Sequence, residues 1–293
     1  MLISESQIIS WAQAPSESEE SSCKNASDSI TSAIRSKFGS DVQVFLQGSY
    51  KNRTNVKKDS DVDIVVLHTG YYFPFDGFLK PEDKNLFQKN FVQSDYTFSN
   101  FKSELHNLLA DKFGLGVVER KNKCLRVNGN SCRVNADVVP AFEYRRLKTP
   151  DSFGAVGIGF KTDSGELIDS YPNQHYQNGV DKNKSTNEKY KAVVRILKNI
   201  RNVLPAGSTG REIPSFLIES FVWNVYPHHH FEKYSLKDTT KSIISFVYED
   251  MKNFDKFNEY AEVSDLKWLF RSSNHSPEQV LRFLENAWGY IEG

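Results

Sequence analysis

The feature that most constrains this chain is the stretch of residues 45–66, in which two apolar runs flank a polar insert. The runs at 42–46 and 64–67 are short and rich in β-branched residues, which predicts two buried strands of one sheet. The insert opens with Gly48, whose missing side chain lets the backbone approach a phosphate closely. Ser49 offers both an N–H and a hydroxyl to phosphate oxygens, so we predict a phosphate-binding loop here.

Two acids stand at the end of this insert, where the second strand begins. Asp61 and Asp63 are two residues apart, so on a strand both side chains point to the same face. Carboxylates that share a site raise each other's pKa unless a cation lies between them. Magnesium suits such a pair, because it prefers oxygen ligands and usually shares them with substrate phosphates. The sequence therefore predicts a metal and phosphate site at 45–66.

A third acid, Asp137, lies inside the apolar run VNADVVPAF. Strand-like pieces at 117–120, 124–127 and 132–139 surround a strong turn signal at Asn128-Gly129, which predicts a hairpin. A lone acid in an apolar strand is costly to bury without a partner. Asp137 is either a third metal-binding carboxylate beside the other two, which we favour, or the partner of a nearby arginine: Arg133, Arg145 or Arg146.

The second half of the chain is almost wholly helical in pattern. The helix predicted at 186–204 has one broad apolar face and, on the opposite face, Lys191, Arg195 and Lys198. Such a stripe is usually a solvated face, but beside a triphosphate a lysine from it becomes a partner. Ser215 starts the next predicted helix and adds a hydroxyl and a helix-terminal N–H.

Composition limits the class of protein. The 39% hydrophobic and 13% aromatic content predicts a folded globule, and the formal net charge of zero argues against binding long nucleic acid through phosphates. The three cysteines show no paired C-x-x-C spacing, as expected of free thiols in a reducing compartment. No run suits a signal peptide or membrane span, so we expect a cytoplasmic protein without membrane contact. We expect two domains, at 1–160 and 161–293.

The motifs GSY, SDVDIVV and NADVVP together resemble the DNA polymerase β-like nucleotidyltransferase superfamily. The later runs HYQNGVDKNKSTNEKYKAVVRILKNIRN and IPSFLIES make the chain similar to the bacterial cGAS/DncV-like nucleotidyltransferases, or CD-NTases, of clade E. This resemblance implies an α+β fold. It has a polymerase β-like nucleotidyltransferase core, a mixed sheet with flanking helices, plus a C-terminal helical lobe, with the active site in the cleft between them.

The resemblance also implies roles for particular residues. Asp61, Asp63 and Asp137 would be the catalytic residues and hold two Mg2+ ions, for which Mn2+ can substitute. Asn178 stands where family members contact a nucleobase, although a structural turn at Asn178-Gly179 is an alternative. The residues implied in nucleotide binding are Gln47, Gly48, Ser49, Asn178, Lys198 and Ser215.

The implied activity is that of a cyclic dinucleotide synthase acting as the signal generator of a bacterial anti-phage (CBASS) system. Two metal-dependent transfers would join ribonucleoside triphosphates, UTP and/or ATP, and release pyrophosphate. The product would act on a downstream effector; we expect a monomer, and no DNA activator because the chain lacks a zinc-type Cys/His insertion. The alternatives are a template-independent transferase that makes linear oligonucleotides or modifies RNA or a small acceptor, and a non-catalytic nucleotide-binding module.

Overall fold

The computed structural model describes residues 3–56, 61–205, 207–208, 210–271 and 275–292. The chain divides into two compact units. The sheet unit consists of Glu17–Gly48 and Ser60–Pro172, and the helical unit consists of Met1–Ser16, Ser49–Asp59 and Asn173–Gly293. This division differs from the boundary predicted at residue 160, because two early segments join the helical unit and the sheet unit continues further along the chain.

The first elements in chain order are α1 (Glu5–Ala12), α2 (Glu17–Phe38), β1 (Val42–Gln47), α3 (Gly48–Asn52), β2 (Val62–Phe75), α4 (Pro81–Asn90) and α5 (Phe98–Phe113). Next come β3 (Val118–Arg120), β4 (Leu125–Val127), β5 (Ala136–Thr149), β6 (Ser152–Lys161) and β7 (Leu167–Ser170). The remaining helices are α6 (Pro172–Ser185), α7 (Lys189–Val203), α8 (Ser215–Trp223), α9 (Leu236–Met251), α10 (Phe254–Phe257) and α11 (Pro277–Glu292), with short 3-10 turns at Gly39–Asp41 and His228–Phe231.

The strands of the sheet unit form one mixed sheet. Its order is β1-β2-β5-β4-β3, with β6 pairing with the far part of β5 and β7 pairing with β6. β2 and β5 run parallel, and the other neighbours run antiparallel. β2 and β5 are central strands, and their first halves are almost continuously apolar and buried, as central strands require. The α+β class predicted from the sequence is confirmed.

Helices cover this sheet through apolar residues at helical spacing. Ile30 and Ile34 of α2 and Phe101, Leu105 and Leu109 of α5 are all fully buried. α5 begins with a capping box, in which Thr97 and Asn100 exchange side-chain and backbone hydrogen bonds. The packed helices thus hold the central strands β2 and β5 in place.

The helical unit is organised around α7. Its residues Val193, Leu197 and Ile200 are fully buried, and the same apolar cluster includes Ile8 of α1 and Phe221 of α8. The helix predicted at 186–204 is confirmed, beginning three residues later. A turn at Asn178-Gly179 was one alternative predicted from the sequence, but both residues lie inside α6. Within the described residues, none of the helices is sufficiently long and apolar to span a bilayer.

Candidate active site

Sheet pairing brings the three predicted acids to one end of two neighbouring strands. Asp63 is the second residue of β2, and Asp61 immediately precedes that strand. The parallel register places Asp63 opposite Asp137 and Val62 opposite Ala136. Because the strands are parallel and both begin here, the three carboxylates of Asp61, Asp63 and Asp137 gather at their amino-terminal ends.

An arginine that the sequence analysis did not single out lies among these acids. The antiparallel pairing of β4 with β5 puts Arg126 opposite Asp137. Arg126 Nη2 donates to Asp61 Oδ2 at 2.7 Å, and its Nη1 lies 3.6 Å from Asp137 Oδ1. The other Asp61 oxygen accepts from Asn135 Nδ2 at 3.0 Å. The guanidinium supplies the positive charge that clustered carboxylates need.

The three arginines that the sequence offered as partners of Asp137 have other contacts. The guanidinium of Arg133 lies over the Phe113 ring, and its Nη2 donates to the carbonyl of Asn128. Arg145 pairs with Glu143 at 2.6 Å. Arg146 lies 4.0 Å from Asp169. The alternative that one of these three pairs with Asp137 was therefore wrong, because strand register and not sequence distance selects the neighbour.

The Asp137 carboxylate is partly buried and incompletely hydrogen-bonded. Its Oδ1 is buried and has no hydrogen-bond partner among the described residues. Burial raises the pKa of Asp137, the Arg126 guanidinium works against that rise, and the Asp61 carboxylate adds to it. Burial and the nearby Asp137 carboxylate likewise raise the pKa of the Cys124 thiol to about 12. A buried carboxylate oxygen without a hydrogen-bond donor is costly unless a cation lies near it. Here that cation is the Arg126 guanidinium, 3.6 Å away, and a bound metal ion would supply the same charge.

The donor set of Asp61, Asp63 and Asp137 fits a hard divalent ion. Within the described residues, no group of three or more His, Cys, Asp and Glu side chains is arranged as a ready metal cage. Magnesium does not require one, because it is usually bound by one or two carboxylates together with substrate phosphates and water. Asp137 Oδ1 accepts no hydrogen bond from the described residues and lies 3.6 Å from Arg126 Nη1, so it is one such ligand atom. A metal at Asp61 or Asp137 would compete with Arg126.

The glycine of the predicted phosphate loop is required by its surroundings. Gly48 follows β1 directly, and its φ of +68° lies in the left-handed region that other residues rarely adopt. A Cβ on Gly48 would lie 2.1 Å from Asp63 Oδ2. In the pairing of β1 with β2, Gln47 is the residue opposite Asp63. Gln47 and Gly48 therefore line the Asp63 side of the acid cluster.

Lys198 does not have the environment that was predicted for it. Its side chain is 0% exposed, and its Nζ donates to Glu219 Oε1 at 2.6 Å. This ammonium is enclosed in the helical unit, so the prediction that Lys198 reaches a triphosphate has to be corrected. Sequence pattern does not reveal this pairing, because Glu219 is on a different helix.

Two other lysines of the helical unit surround one aromatic ring. The ammonium groups of Lys51 and Lys191 lie 4.7 and 5.9 Å from the centroid of the Tyr176 ring. Neither lysine forms an ion pair with a carboxylate of a described residue. Burial lowers the pKa of Lys191, the Glu188 carboxylate opposes this, and Arg195 and Arg53 lower the pKa further. Burial and Arg53 lower the pKa of Arg195 to about 10. Partly desolvated cations that repel one another favour an anion between them.

The remaining predicted residues also lie in the helical unit. Ser215 is the first residue of α8, as predicted, and its Oγ accepts from Arg201 Nη1 at 2.8 Å. Asn178 lies inside α6, and its Nδ2 donates to the carbonyl of Val263 at 2.8 Å. The alternative prediction of a turn at Asn178-Gly179 is therefore wrong, because α6 continues through both residues. The Asn178 side chain has a structural partner in the Val263 carbonyl. Its role as a nucleobase contact stays a prediction.

Some of the missed residues had a usable signal. Arg126 stands between Leu125 and Val127 in a strand that the hairpin prediction already paired with the strand of Asp137. Alternation along that strand would have put its side chain on one face with the acid. Lys51 follows Ser49 by two residues in α3, close in sequence to the loop that was predicted to bind phosphate. Lys191 belongs to the predicted basic stripe, but the pattern alone did not separate it from Lys198.

The chain is similar to known proteins over nearly its whole length. The pattern of the cGAS/DncV-like nucleotidyltransferase C-terminal helical domain matches residues 177–292, and that of a nucleotidyltransferase domain matches residues 28–113. A cyclic dipurine nucleotide synthase of Elizabethkingia meningoseptica is 41% identical, covering 99% of both chains. The cyclic dipyrimidine nucleotide synthase CdnE of Cecembia lonarensis is 34% identical, covering 98% of both. The solved structure of the Elizabethkingia CdnE cyclic dinucleotide synthase with GTP and Apcpp covers 99% of this chain and 100% of that one, with 39% identity and a TM-score of 0.82.

Proposed function

The chain belongs to the cGAS/DncV-like nucleotidyltransferases, in the CdnE group of cyclic dinucleotide synthases, and we propose that it joins two ribonucleoside triphosphates into a cyclic dinucleotide. The observation that carries the proposal is the gathering of Asp61, Asp63 and Asp137 at the paired ends of β2 and β5. Gly48 supports the same site, because its missing side chain leaves room for the Asp63 carboxylate.

The proposed reaction consists of two successive nucleotidyl transfers, each of which releases pyrophosphate. The ribose hydroxyl of one triphosphate attacks the α-phosphorus of the other, the bond to the β-phosphate breaks, and pyrophosphate leaves while the hydroxyl proton is lost to solvent. A second transfer within the linear intermediate closes the ring and releases a second pyrophosphate. Divalent ions, Mg2+ in this proposal, lower the pKa of the attacking hydroxyl and neutralise phosphate charge when bound. Asp61, Asp63 and Asp137 would hold them.

The cations that we propose for the triphosphate are Lys51 and Lys191, in place of Lys198. Lys51 lies three residues after Gly48 in α3. Lys191 lies near the start of α7 and faces the same Tyr176 ring as Lys51. Unlike Lys198, neither ammonium forms an ion pair with a carboxylate of a described residue, although Glu188 and Glu219 act on Lys191 from a greater distance. Ammonium groups bind phosphate oxygens through charge-assisted hydrogen bonds.

Lys191→Met is expected to raise the KM for nucleoside triphosphate about tenfold, the value of one charge-assisted hydrogen bond. The maximal rate changes less, since a binding contact present in substrate and transition state alike acts on KM. Initial rates of pyrophosphate release over a range of triphosphate concentrations measure both. Lys189→Met is the matched control, because Lys189 is on the same helix and its Nζ donates to the carbonyl of Lys233. An unchanged KM for Lys191→Met would contradict the assignment.

The proposed reaction is tested by incubating the protein with each ribonucleoside triphosphate, alone and in pairs, with Mg2+ or Mn2+. We expect products that survive phosphatase and have the mass of a cyclic dinucleotide. Linear products, which lose their terminal phosphates to phosphatase, would favour the template-independent transferase instead. Absence of both product and pyrophosphate would leave the non-catalytic nucleotide-binding module.

The same assay tests the choice of base. The family resemblance predicts use of UTP and/or ATP, with UTP favoured, and the relatives include both a dipurine and a dipyrimidine synthase. A product without uridine would overturn the base prediction and leave the reaction type intact. By the same reasoning from the family, we propose that the product acts on a separate effector in an anti-phage system and that the enzyme acts as a monomer.

A further inference from the structure

A buried carboxylate joins four segments of the helical unit. Glu219 of α8 is 4% exposed, and its Oε1 accepts from Lys198 Nζ and from Thr54 Oγ1, both at 2.6 Å. Its Oε2 lies 3.2 Å from His175 Nε2. Burial alone would raise the pKa of Glu219, but Lys198 and His175 outweigh it and hold that pKa well below its usual range. Glu219 is therefore a charged acceptor inside the unit.

The stability of the fold does not by itself require a buried ion pair at this position. A buried ion pair is weak evidence for stability, because apolar residues of similar volume often stabilise a core equally well. What the carboxylate adds is a fixed, strong acceptor, and hydrogen bonds to charged groups are shorter and stronger than neutral ones. The Thr54 hydroxyl, from a residue 1% exposed, takes one of its acceptor positions.

Thr54 connects this acceptor to the loop that follows Gly48. Its backbone N–H donates to the carbonyl of Ser49 at 2.9 Å. The carbonyl of the preceding residue, Arg53, accepts from Arg195 Nη1 at 2.5 Å. Arg53 has a φ of +56°, which is unfavourable for a residue with a side chain and persists only where its surroundings hold it. The short segment that carries Ser49 and Lys51 is thus held by side chains of α7 and α8.

We propose that Glu219 is a positioning residue for nucleotide binding, which sets the segment of Ser49 and Lys51 through its hydrogen bond with Thr54. The inference rests on the proposed function, since it assumes that this segment binds the triphosphate. Lys198 then acts indirectly, by keeping Glu219 charged and oriented. His175 completes the carboxylate from α6, the helix that also carries the Tyr176 ring.

Thr54→Val keeps the shape of the side chain and removes only the hydroxyl. We expect it to weaken binding of a non-hydrolysable triphosphate with Mg2+, measured by calorimetry, about tenfold, the effect of one lost hydrogen bond to a charged group. Thr54→Ser restores the hydroxyl and is expected to bind within about twofold of wild type. Thr240→Val is the matched control, because Thr240 is also fully buried in this unit but donates to the carbonyl of Leu236 in its own helix.

The inference is overturned if Thr54→Val binds as tightly as wild type, or if Thr54→Ser does not recover. It is also overturned if Thr240→Val, at an equal loss of melting temperature, weakens binding equally. Should Thr54→Val not fold, His175→Leu removes a partly exposed donor from the same carboxylate and is expected to weaken binding about threefold, whereas wild-type affinity there contradicts the proposal. A wild-type protein that binds triphosphate but makes no cyclic product would refute the proposed function alone; one that binds none would refute both.

Discussion

Asp137→Asn is expected to reduce product formation at least about a thousandfold while the protein stays folded. The Asp137 carboxylate supplies an oxygen that accepts no hydrogen bond from a described residue. Stabilisation of the transferring phosphate by bound metal amounts to several kcal/mol, and each 1.4 kcal/mol is tenfold in rate. The amide nearly preserves the shape and removes a desolvated charge. We expect the melting temperature without metal to change by no more than about 3 °C.

The measurement pairs a pyrophosphate-release assay with thermal melts at increasing Mg2+ or Mn2+. The wild-type melting temperature is expected to rise with the ion, because a ligand of the native state stabilises it, and Asp137→Asn is expected to lose most of that rise. Asp169→Asn is the control, since Asp169 is a partly buried acid of the same sheet that lies 4.0 Å from Arg146. Substantial turnover by folded Asp137→Asn would remove Asp137 from the catalytic set.

The acid cluster could be predicted because each step of it depends on local pattern. Two acids at a spacing of two must share a strand face, and an acid inside an apolar strand needs a partner, so Asp61, Asp63 and Asp137 were found without a structure. The lysine was not. Lys191 and Lys198 are seven residues apart on one helix, and only the tertiary partner Glu219 decides which ammonium is enclosed.

The fold class followed from the apolar runs, but the division of the chain did not. A boundary drawn at one residue assumes contiguous domains, whereas α1 joins the helical unit by burying Ile8 in the apolar cluster of α7. The segment Ser49–Asp59 joins it through polar contacts of Arg53 and Thr54, which no hydrophobic pattern records. α6 was also missed because of a tertiary contact. Gly179 is a poor helix former by itself, but in the fold it is buried against Tyr190, whose ring would lie 3.8 Å from a Cβ on Gly179.

Gly48→Ala is expected to lose activity at least about a hundredfold through a clash confined to the acid cluster. The new Cβ would lie 2.1 Å from Asp63 Oδ2 and 3.1 Å from its Cγ. Because the end of a side chain moves more easily than backbone, the clash is relieved by turning the Asp63 carboxylate away. If this oxygen binds metal as we propose, displacing it by this much costs about 3 kcal/mol of transition-state stabilisation, which is roughly a hundredfold.

Gly39→Ala separates this effect from the backbone conformation. Gly39 lies in the same unit with a φ of +54°, close to the +68° of Gly48, but a Cβ on it meets nothing within 4 Å. Both substitutions place a side chain in the left-handed region, which destabilises each variant by about 1 kcal/mol. Only Gly48→Ala is expected to lose turnover and the metal-dependent rise in melting temperature. Equal activity of the two variants would mean that Asp63 does not need its observed position, and Asp63 would then be excluded as a metal ligand.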